Sequence, residues 1–180
     1  MNNKKNPVFD NLIFAFLYWG ISHLNWLLFS RVGILPMPIW PAAGLAFVGA
    51  FYRGWKIAPG IALGTFLSNY ISLGAPLLYA LLIPVMNTLG PLVGAALARR
   101  KVSLELNLIH IEDVLVIFIS GILIVPLLTA TGGIGFKWML GLLPAEVLVT
   151  SWLKWFVAHL SGTLLIGIPL FAWVRVGRQR

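Results

Sequence analysis

The chain has 180 residues, of which 59% are hydrophobic and 10% are charged, with a net charge of +8 and no cysteine. A soluble domain carries about 25% charged residues, so this chain has too few charges to cover a water-facing surface and must turn most of its surface to lipid. The composition leaves no room for a soluble catalytic or nucleic-acid-binding module, and the lack of cysteine excludes disulfides and thiolate metal sites.

Long apolar runs predict an all-α, polytopic membrane helix bundle in which residues 1–180 form a single integral membrane domain. A helix needs about 20 mainly apolar residues to cross the hydrocarbon core, and the chain offers about six such stretches. The first run is too long for the apolar part of a signal peptide, so we interpret it as a retained helix. The predicted spans cover about residues 9–30, 36–52, 55–73, 75–98, 114–130 and 156–174.

The region between the last two predicted spans combines glycines with charged residues. Three glycines within residues 132–135 predict that span five ends before them and that Lys137 lies in a loop. The apolar stretch that follows is too long for one simple span. Because Glu146 and Lys154 place charge in its first half, we expect residues 144–155 to form an interfacial or tilted segment that precedes the last span.

Basic residues are concentrated in the segments that this span order places on one side of the membrane. Cytoplasmic loops of membrane proteins carry an excess of Lys and Arg, so the distribution predicts that both termini are cytoplasmic. The same sidedness explains the net charge without nucleic acid as a partner. The predicted cytoplasmic segments contain Lys4, Lys5, Arg53, Lys56, Arg99, Arg100, Lys101, Arg175, Arg178 and Arg180.

Polar residues inside the predicted spans lie mostly in the outer half of the bundle. Lipid offers such groups no partner, so each is a candidate site residue. Asn69 and Asn87 could bind a ligand or hold helices together. Glu146 and Lys154 could form an interfacial ion pair or belong to a site. His23, His159 and Glu146 could ligate a metal in principle, but they lack a recognised ligand spacing, so no metal and no cofactor is expected.

Three sequence elements are distinctive. The first is Pro38-Ile39-Trp40-Pro41-Ala42-Ala43-Gly44-Leu45-Ala46, in which Pro41 predicts a rigid, extended approach to span two. The second is Pro59-Gly60-Ile61-Ala62-Leu63-Gly64-Thr65-Phe66-Leu67-Ser68-Asn69. The third is Trp155-Phe156-Val157-Ala158-His159-Leu160-Ser161-Gly162, followed by Pro169-Leu170.

Together these elements resemble the membrane-associated sensor domain family MASE, of the first type, over nearly the whole chain. The resemblance implies structural roles for Pro41, Gly44, Pro59, Gly60, Gly64, Gly162 and Pro169. The third element departs from the family pattern, because His159 stands where the family often has an acidic residue and Phe156 replaces a second Trp. If that acid recognises a ligand, the ligand or its charge differs in this chain.

The resemblance implies a sensory, non-enzymatic membrane domain of the bacterial inner membrane, which acts on a histidine kinase or a cyclic-dinucleotide enzyme at the cytoplasmic face. No such output segment occurs in these residues, so we expect a stand-alone sensor domain, a truncated piece, or a related module put to another use. The alternatives are a substrate-binding subunit of an energy-coupling-factor transporter and a non-catalytic scaffold. For an unknown small ligand, the expected contacts are Trp40, Asn69, Asn87, His159, Glu146 and His23.

Overall fold

The computed structural model describes residues 6–103 and 110–178, with side chains described up to residue 174. Part of the predicted charge distribution therefore lies outside the described side chains. These charges are Lys4, Lys5, Arg175, Arg178 and Arg180.

The described residues are helical or lie in short connections, and they contain no strand, which confirms the all-α prediction. The helices are α1 Pro7–Arg31, α2 Pro41–Arg53, α3 Ala58–Leu67, α4 Leu77–Ala98, α5 Ile111–Ile117, α6 Val125–Met139, α7 Leu148–Gly162 and α8 Ile168–Arg178.

Short 3-10 and π segments connect or extend several of these helices, and the described residues form six helical stretches when α2 and α3, on either side of a turn, are counted separately: α1, α2, α3, α4, α5–α6 and α7–α8. A 3-10 turn, Gly54–Ile57, links α2 to α3, and a second one, Ala145–Val147, leads into α7. The π segment Ser68–Ser72 extends α3, Phe118–Ile124 joins α5 to α6, and Thr163–Gly167 joins α7 to α8. Such π segments are rare in proteins, and those that occur are often found at functional sites.

Helices α1 and α3 run side by side in the same direction. The Asn11 amide bridges to the start of α3, because its Nδ2 donates to the Lys56 carbonyl oxygen at 2.9 Å and its Oδ1 accepts from the Gly60 N–H at 2.7 Å. One turn further along, Gly64 faces α1 so closely that an added Cβ would lie 2.7 Å from the Cβ of Tyr18. Gly60 and Gly64, four residues apart, therefore form a small-residue face that lets α3 pack closely on α1.

A second glycine pair joins α4 to the stretch formed by α5 and α6. An added Cβ on Gly94 would lie 2.6 Å from the Ser120 carbonyl oxygen, and one on Gly90 would lie 2.8 Å from Cγ2 of Thr129. Gly94, the later of the two glycines, faces Ser120, and Gly90 faces the later residue Thr129, so the two stretches are antiparallel. Gly90 and Gly94 thus let these two stretches pack closely.

The first and third sequence elements pack directly against each other. An added Cβ on Gly162 would lie 1.8 Å from the carbonyl oxygen of Trp40, and one on Gly44 would lie 2.6 Å from the backbone nitrogen of Gly167. Further along, Phe47 and Phe51 of α2 contact Phe171 of α8 edge to face, with ring centroids 5.7 and 5.1 Å apart. Helix α2 thus lies parallel to the α7–α8 stretch along its full length.

The prediction that the glycines after span five end the helix is wrong. Helix α6 continues through them to Met139 and includes Lys137. The reason is packing, because Gly133 lies beneath the Trp155 ring and Gly132 lies against Met86. These small residues let neighbouring helices approach closely, and that contact outweighs the low helix propensity of glycine.

The predicted interfacial or tilted segment 144–155 and the predicted span 156–174 meet within one helical stretch. The chain is helical without interruption from Leu148 through α7, the π segment and α8. Glu146 precedes α7 in a 3-10 turn, so it does not share an α-helical face with Lys154. Whether residues 144–155 lie at the interface stays a prediction.

Four helical stretches in the described part of the chain are long and apolar enough to cross a membrane. They are Pro7–Arg31, Leu77–Ala98, Ile111–Met139 and Ala145–Val174. The chain therefore has the helices of a multi-pass membrane protein. Helix α2 has 13 residues and α3 has 10, which is short of a full span, so the count of six spans stays a prediction.

We predict that Gly162→Ala destabilises the protein by about 1–3 kcal/mol, the usual range for overpacking, because the new methyl group collides with the backbone at Trp40. The measurement is the thermal unfolding midpoint of purified protein in detergent. Gly20→Ala is the matched control, since a Cβ there meets nothing within 4 Å. Equal midpoints for the two variants would contradict the close α2–α7 contact.

Candidate ligand-binding cavity

One cavity of about 340 Å³ lies among all six helical stretches, at the end of the bundle opposite the start of α1. Its volume is at the lower end of the range of about 300–1,000 Å³ for small-molecule sites. Leu35, Pro36 and Lys154 are exposed, so they form the rim. The lining includes Trp26 of α1, Trp40 before α2, Asn69 after α3, Asn87 of α4, Lys137 of α6 and His159 of α7.

Trp40 is held at the N-terminus of α2 by backbone and side-chain hydrogen bonds. Pro41 occupies the first turn of α2, where its missing N–H is no loss, and Trp40 lies outside the helix with φ −122° and ψ 83°. The Trp40 N–H donates to the Ala158 carbonyl oxygen at 2.8 Å, and its indole Nε1 donates to the Tyr18 hydroxyl at 3.3 Å. These contacts leave the indole ring facing α7.

The His159 imidazole lies between two tryptophan rings. Its centroid is 6.1 Å from the Trp40 ring and 5.3 Å from the Trp155 ring, with interplanar angles of 19° and 10°. Nδ1 donates to the Trp155 carbonyl oxygen at 3.2 Å, so the neutral ring presents a lone pair at Nε2. Nε2 is buried and has no hydrogen-bond partner. This atom can therefore accept a hydrogen bond from a bound molecule.

Asn69 and Asn87 both line the cavity and are both 3% exposed. Nδ2 of Asn69, in the π segment, donates to the Thr65 carbonyl oxygen at 2.9 Å. Oδ1 of Asn87 is buried without a partner. From the sequence, each of these residues could either bind a ligand or hold helices together. In the structure, Asn87 has an acceptor without a partner beside the cavity.

Two lysines add positive charge to this cavity. Lys137 is half-buried, and its Nζ lies over the Tyr79 and Trp155 rings, 5.4 and 5.6 Å from their centroids. Lys154 is exposed at the rim. Sequence reasoning missed Lys137 because it was expected in a loop after span five, and no local pattern indicates that α6 carries it into the bundle.

The structure brings Trp40, Asn69, Asn87 and His159 to one cavity, and it leaves His23 and Glu146 outside the lining. Nδ1 of His23 lies 2.9 Å from Oγ of Ser72, in a contact between α1 and the π segment after α3. Glu146 is exposed in the turn before α7. His23, His159 and Glu146 are not brought together, and no group of three His, Asp or Glu side chains among the described residues could hold a metal ion.

The predicted structural residues fall into two groups. Gly44, Gly60, Gly64 and Gly162 lie at close helix contacts, as described above. Pro41 and Pro59 are at the starts of α2 and α3, and Pro169 is exposed near the start of α8.

A multi-pass helix bundle with a polar, aromatic-lined cavity at one end has the features of a membrane-embedded sensory domain. The chain belongs to the MASE1 family, whose family model matches residues 10–180. MASE1 is a family of membrane-associated sensor domains, so the resemblance seen in the three sequence elements is confirmed. No curated protein and no solved structure matches the chain.

We predict that His159→Phe leaves the thermal unfolding midpoint nearly unchanged, whereas His159→Ala lowers the free energy of unfolding by about 1–3 kcal/mol. Each stacked pair contributes about 0.5–1.5 kcal/mol to stability, and only an aromatic ring at position 159 keeps the stacking on both Trp40 and Trp155. The measurement is thermal unfolding in detergent. If the two variants lose the same stability, the imidazole nitrogens rather than the stacking hold this turn in place.

Proposed function

We propose that this chain is a bacterial inner-membrane sensory module that binds a small ligand in the cavity and passes the signal to a separate partner at the cytoplasmic face. The observation that carries the proposal is the cavity itself, because every helical stretch contributes to it. One contributor is His159 on α7, and the same helix runs without a break to the opposite end of the bundle. Occupancy of the cavity can therefore bias the position of α8.

We further propose six spans with both termini in the cytoplasm. An ion pair joins Arg53 at the end of α2 to Asp10 at the start of α1, so α2 returns to the end of the bundle where α1 begins. Lys56 and Arg99 line the same groove as this pair. The excess of positive charge at this end supports its assignment to the cytoplasm.

The short helix α2 can still be part of a full crossing. Its 13 residues rise about 20 Å, and just before it the Ile39 carbonyl oxygen accepts a hydrogen bond from Asn25, in the part of α1 toward the opposite end of the bundle. Helix α3 then returns, since Ser72 accepts a hydrogen bond from the indole Nε1 of Trp19 at 3.1 Å. These contacts support two crossings by the stretches around α2 and α3.

Cysteine labelling in a chain with no native cysteine tests this topology. We expect a membrane-impermeant maleimide to label Ile34→Cys and Glu146→Cys in intact spheroplasts. Lys56→Cys and Lys101→Cys should react only after permeabilisation, because the six-span order places them inside. All four positions are exposed, and the cysteine-free parent is the control.

Two results would contradict the topology in different ways. External labelling of Lys56→Cys together with Ile34→Cys would mean that α2 and α3 enter and leave from the outer side. A fully reversed pattern would mean that the orientation is wrong although the number of spans is right.

The signal requires two arrangements of the helices with different affinity for the ligand. The π segment Thr163–Gly167 lies between His159 and α8, and it packs on Gly44 through the backbone of Gly167 and Cβ of Ile166. A π segment is a wider turn within an α-helix, and such turns are frequent at functional sites. We propose that ligand contact at His159 displaces this segment along α2 and moves α8.

We predict that cross-linking of the tagged chain in native membranes, followed by mass spectrometry, recovers a histidine kinase or a cyclic-dinucleotide enzyme. Recovery of a coupling membrane protein with paired ATPases would overturn the sensor proposal in favour of a transport subunit.

A further inference from the structure

We propose that the cavity binds a small aromatic carboxylate that also carries a hydrogen-bond donor, such as a hydroxylated arylacetic acid. The inference rests on the proposed function, since it names the ligand class of the same cavity. Three independent features of the lining point to it, namely its charge, its aromatic walls and its unpaired polar atoms.

The lining contains two cations and no carboxylate. Lys137 and Lys154 both contribute to it, and neither forms an ion pair among the described residues. Glu146, the nearest acid along the chain, does not line the cavity. Unbalanced positive charge in a concave site with apolar walls attracts anions, because low-dielectric walls focus the field.

Lys137 places part of this positive charge inside the bundle rather than on its surface. Its ammonium is half-buried and lies over the faces of Tyr79 and Trp155 rather than beside a carboxylate. Aromatic faces compensate only part of the cost of removing a cation from water. A carboxylate in the cavity would supply the missing counter-charge.

The walls favour a flat apolar body. The rings of Trp26, Trp40 and Trp155 line the cavity together with Met37. Two of these rings already hold the His159 imidazole in a stack, which shows that the spacing suits planar groups. An aromatic ligand would extend that stack at little cost in conformational entropy.

The unpaired polar atoms around the cavity define where its polar groups would go. Nε1 of Trp155 is a buried donor without a partner, and Nζ of Lys137 lies 5.6 Å from the centroid of the same ring. Nε2 of His159 and Oδ1 of Asn87 are buried acceptors without a partner. A ligand with a hydroxyl or N–H opposite its carboxylate would satisfy both kinds of atom, whereas a fatty acid would leave the acceptors unpaired.

The test is a binding series on the full chain in nanodiscs, read by tryptophan fluorescence and by calorimetry. The probes are 4-hydroxyphenylacetate, its neutral amide 4-hydroxyphenylacetamide, the cation tyramine, and decanoate as a fatty acid from the membrane. We expect the hydroxylated acid to bind about tenfold or more tightly than the amide, with tyramine and decanoate weaker still. Added salt should reduce the affinity for the acid alone.

Variants then test whether the Lys137 ammonium causes the preference for the acid. Lys137→Met should remove the preference of the acid over its amide while leaving the affinity for the amide within about twofold, since only the anion gains from the ammonium. Lys101→Met is the matched control, because Lys101 is exposed at the other end of the bundle. The comparison of acid and amide on the unaltered chain needs no variant, so poor folding of Lys137→Met would not prevent the test.

The outcomes separate this inference from the proposed function. Equal binding of acid and amide, or tighter binding of tyramine or decanoate, would overturn the ligand class and leave the cavity as a sensor site. No binding of any probe at millimolar concentration would also overturn the ligand class. The proposed function fails on different data, namely the labelling pattern and the proteins recovered by cross-linking.

Discussion

The close approach of α2 to α7 is the contact on which the cavity depends. Gly162 has no side chain, so the Trp40 carbonyl can lie against α7, and this allows the Trp40 N–H to reach the Ala158 carbonyl oxygen. The same contact places the Trp40 ring on His159. A side chain at Gly162 would push α2 away, and the aromatic stack and the cavity wall would both be lost. The close packing of the two backbones therefore allows the hydrogen bond and the ring contact that set the geometry of the site.

Most of the polar side-chain atoms that the described part of the bundle leaves unsatisfied belong to residues that line the cavity. These residues are Asn87, Trp155 and His159, whereas the unpaired hydroxyls of Thr65 and Thr88 lie outside the lining. An unsatisfied buried polar atom costs about 1–3 kcal/mol, and more so where lipid rather than water surrounds the protein. Elsewhere Asn11, Ser22, Ser68 and Thr129 bond to backbone carbonyls. Such an uneven distribution is expected where polar atoms are kept for a ligand, because a purely structural interior would pair them.

The errors in the sequence prediction have one physical origin. A glycine run and an isolated lysine favour a loop when only local preferences are weighed, and that reasoning ended span five before Gly132. The helix continues because Gly132 and Gly133 receive Met86 and Trp155 from other helices, contacts that no local pattern contains. Lys137 entered the cavity lining as a consequence.

The sequence by itself determined the class of the protein. Its apolar content requires a membrane, its apolar runs require helices, and its three sequence elements indicated the family and contain three of the predicted cavity residues, Trp40, Asn69 and His159. Only the tertiary structure decided which polar residues meet, because depth along a span does not specify the rotation of a helix about its axis. His23 and His159 were both expected in the outer half, yet His23 turns to Ser72 while His159 lines the cavity. The rotation follows from the glycine contacts between helices, and these form only when the whole bundle is assembled.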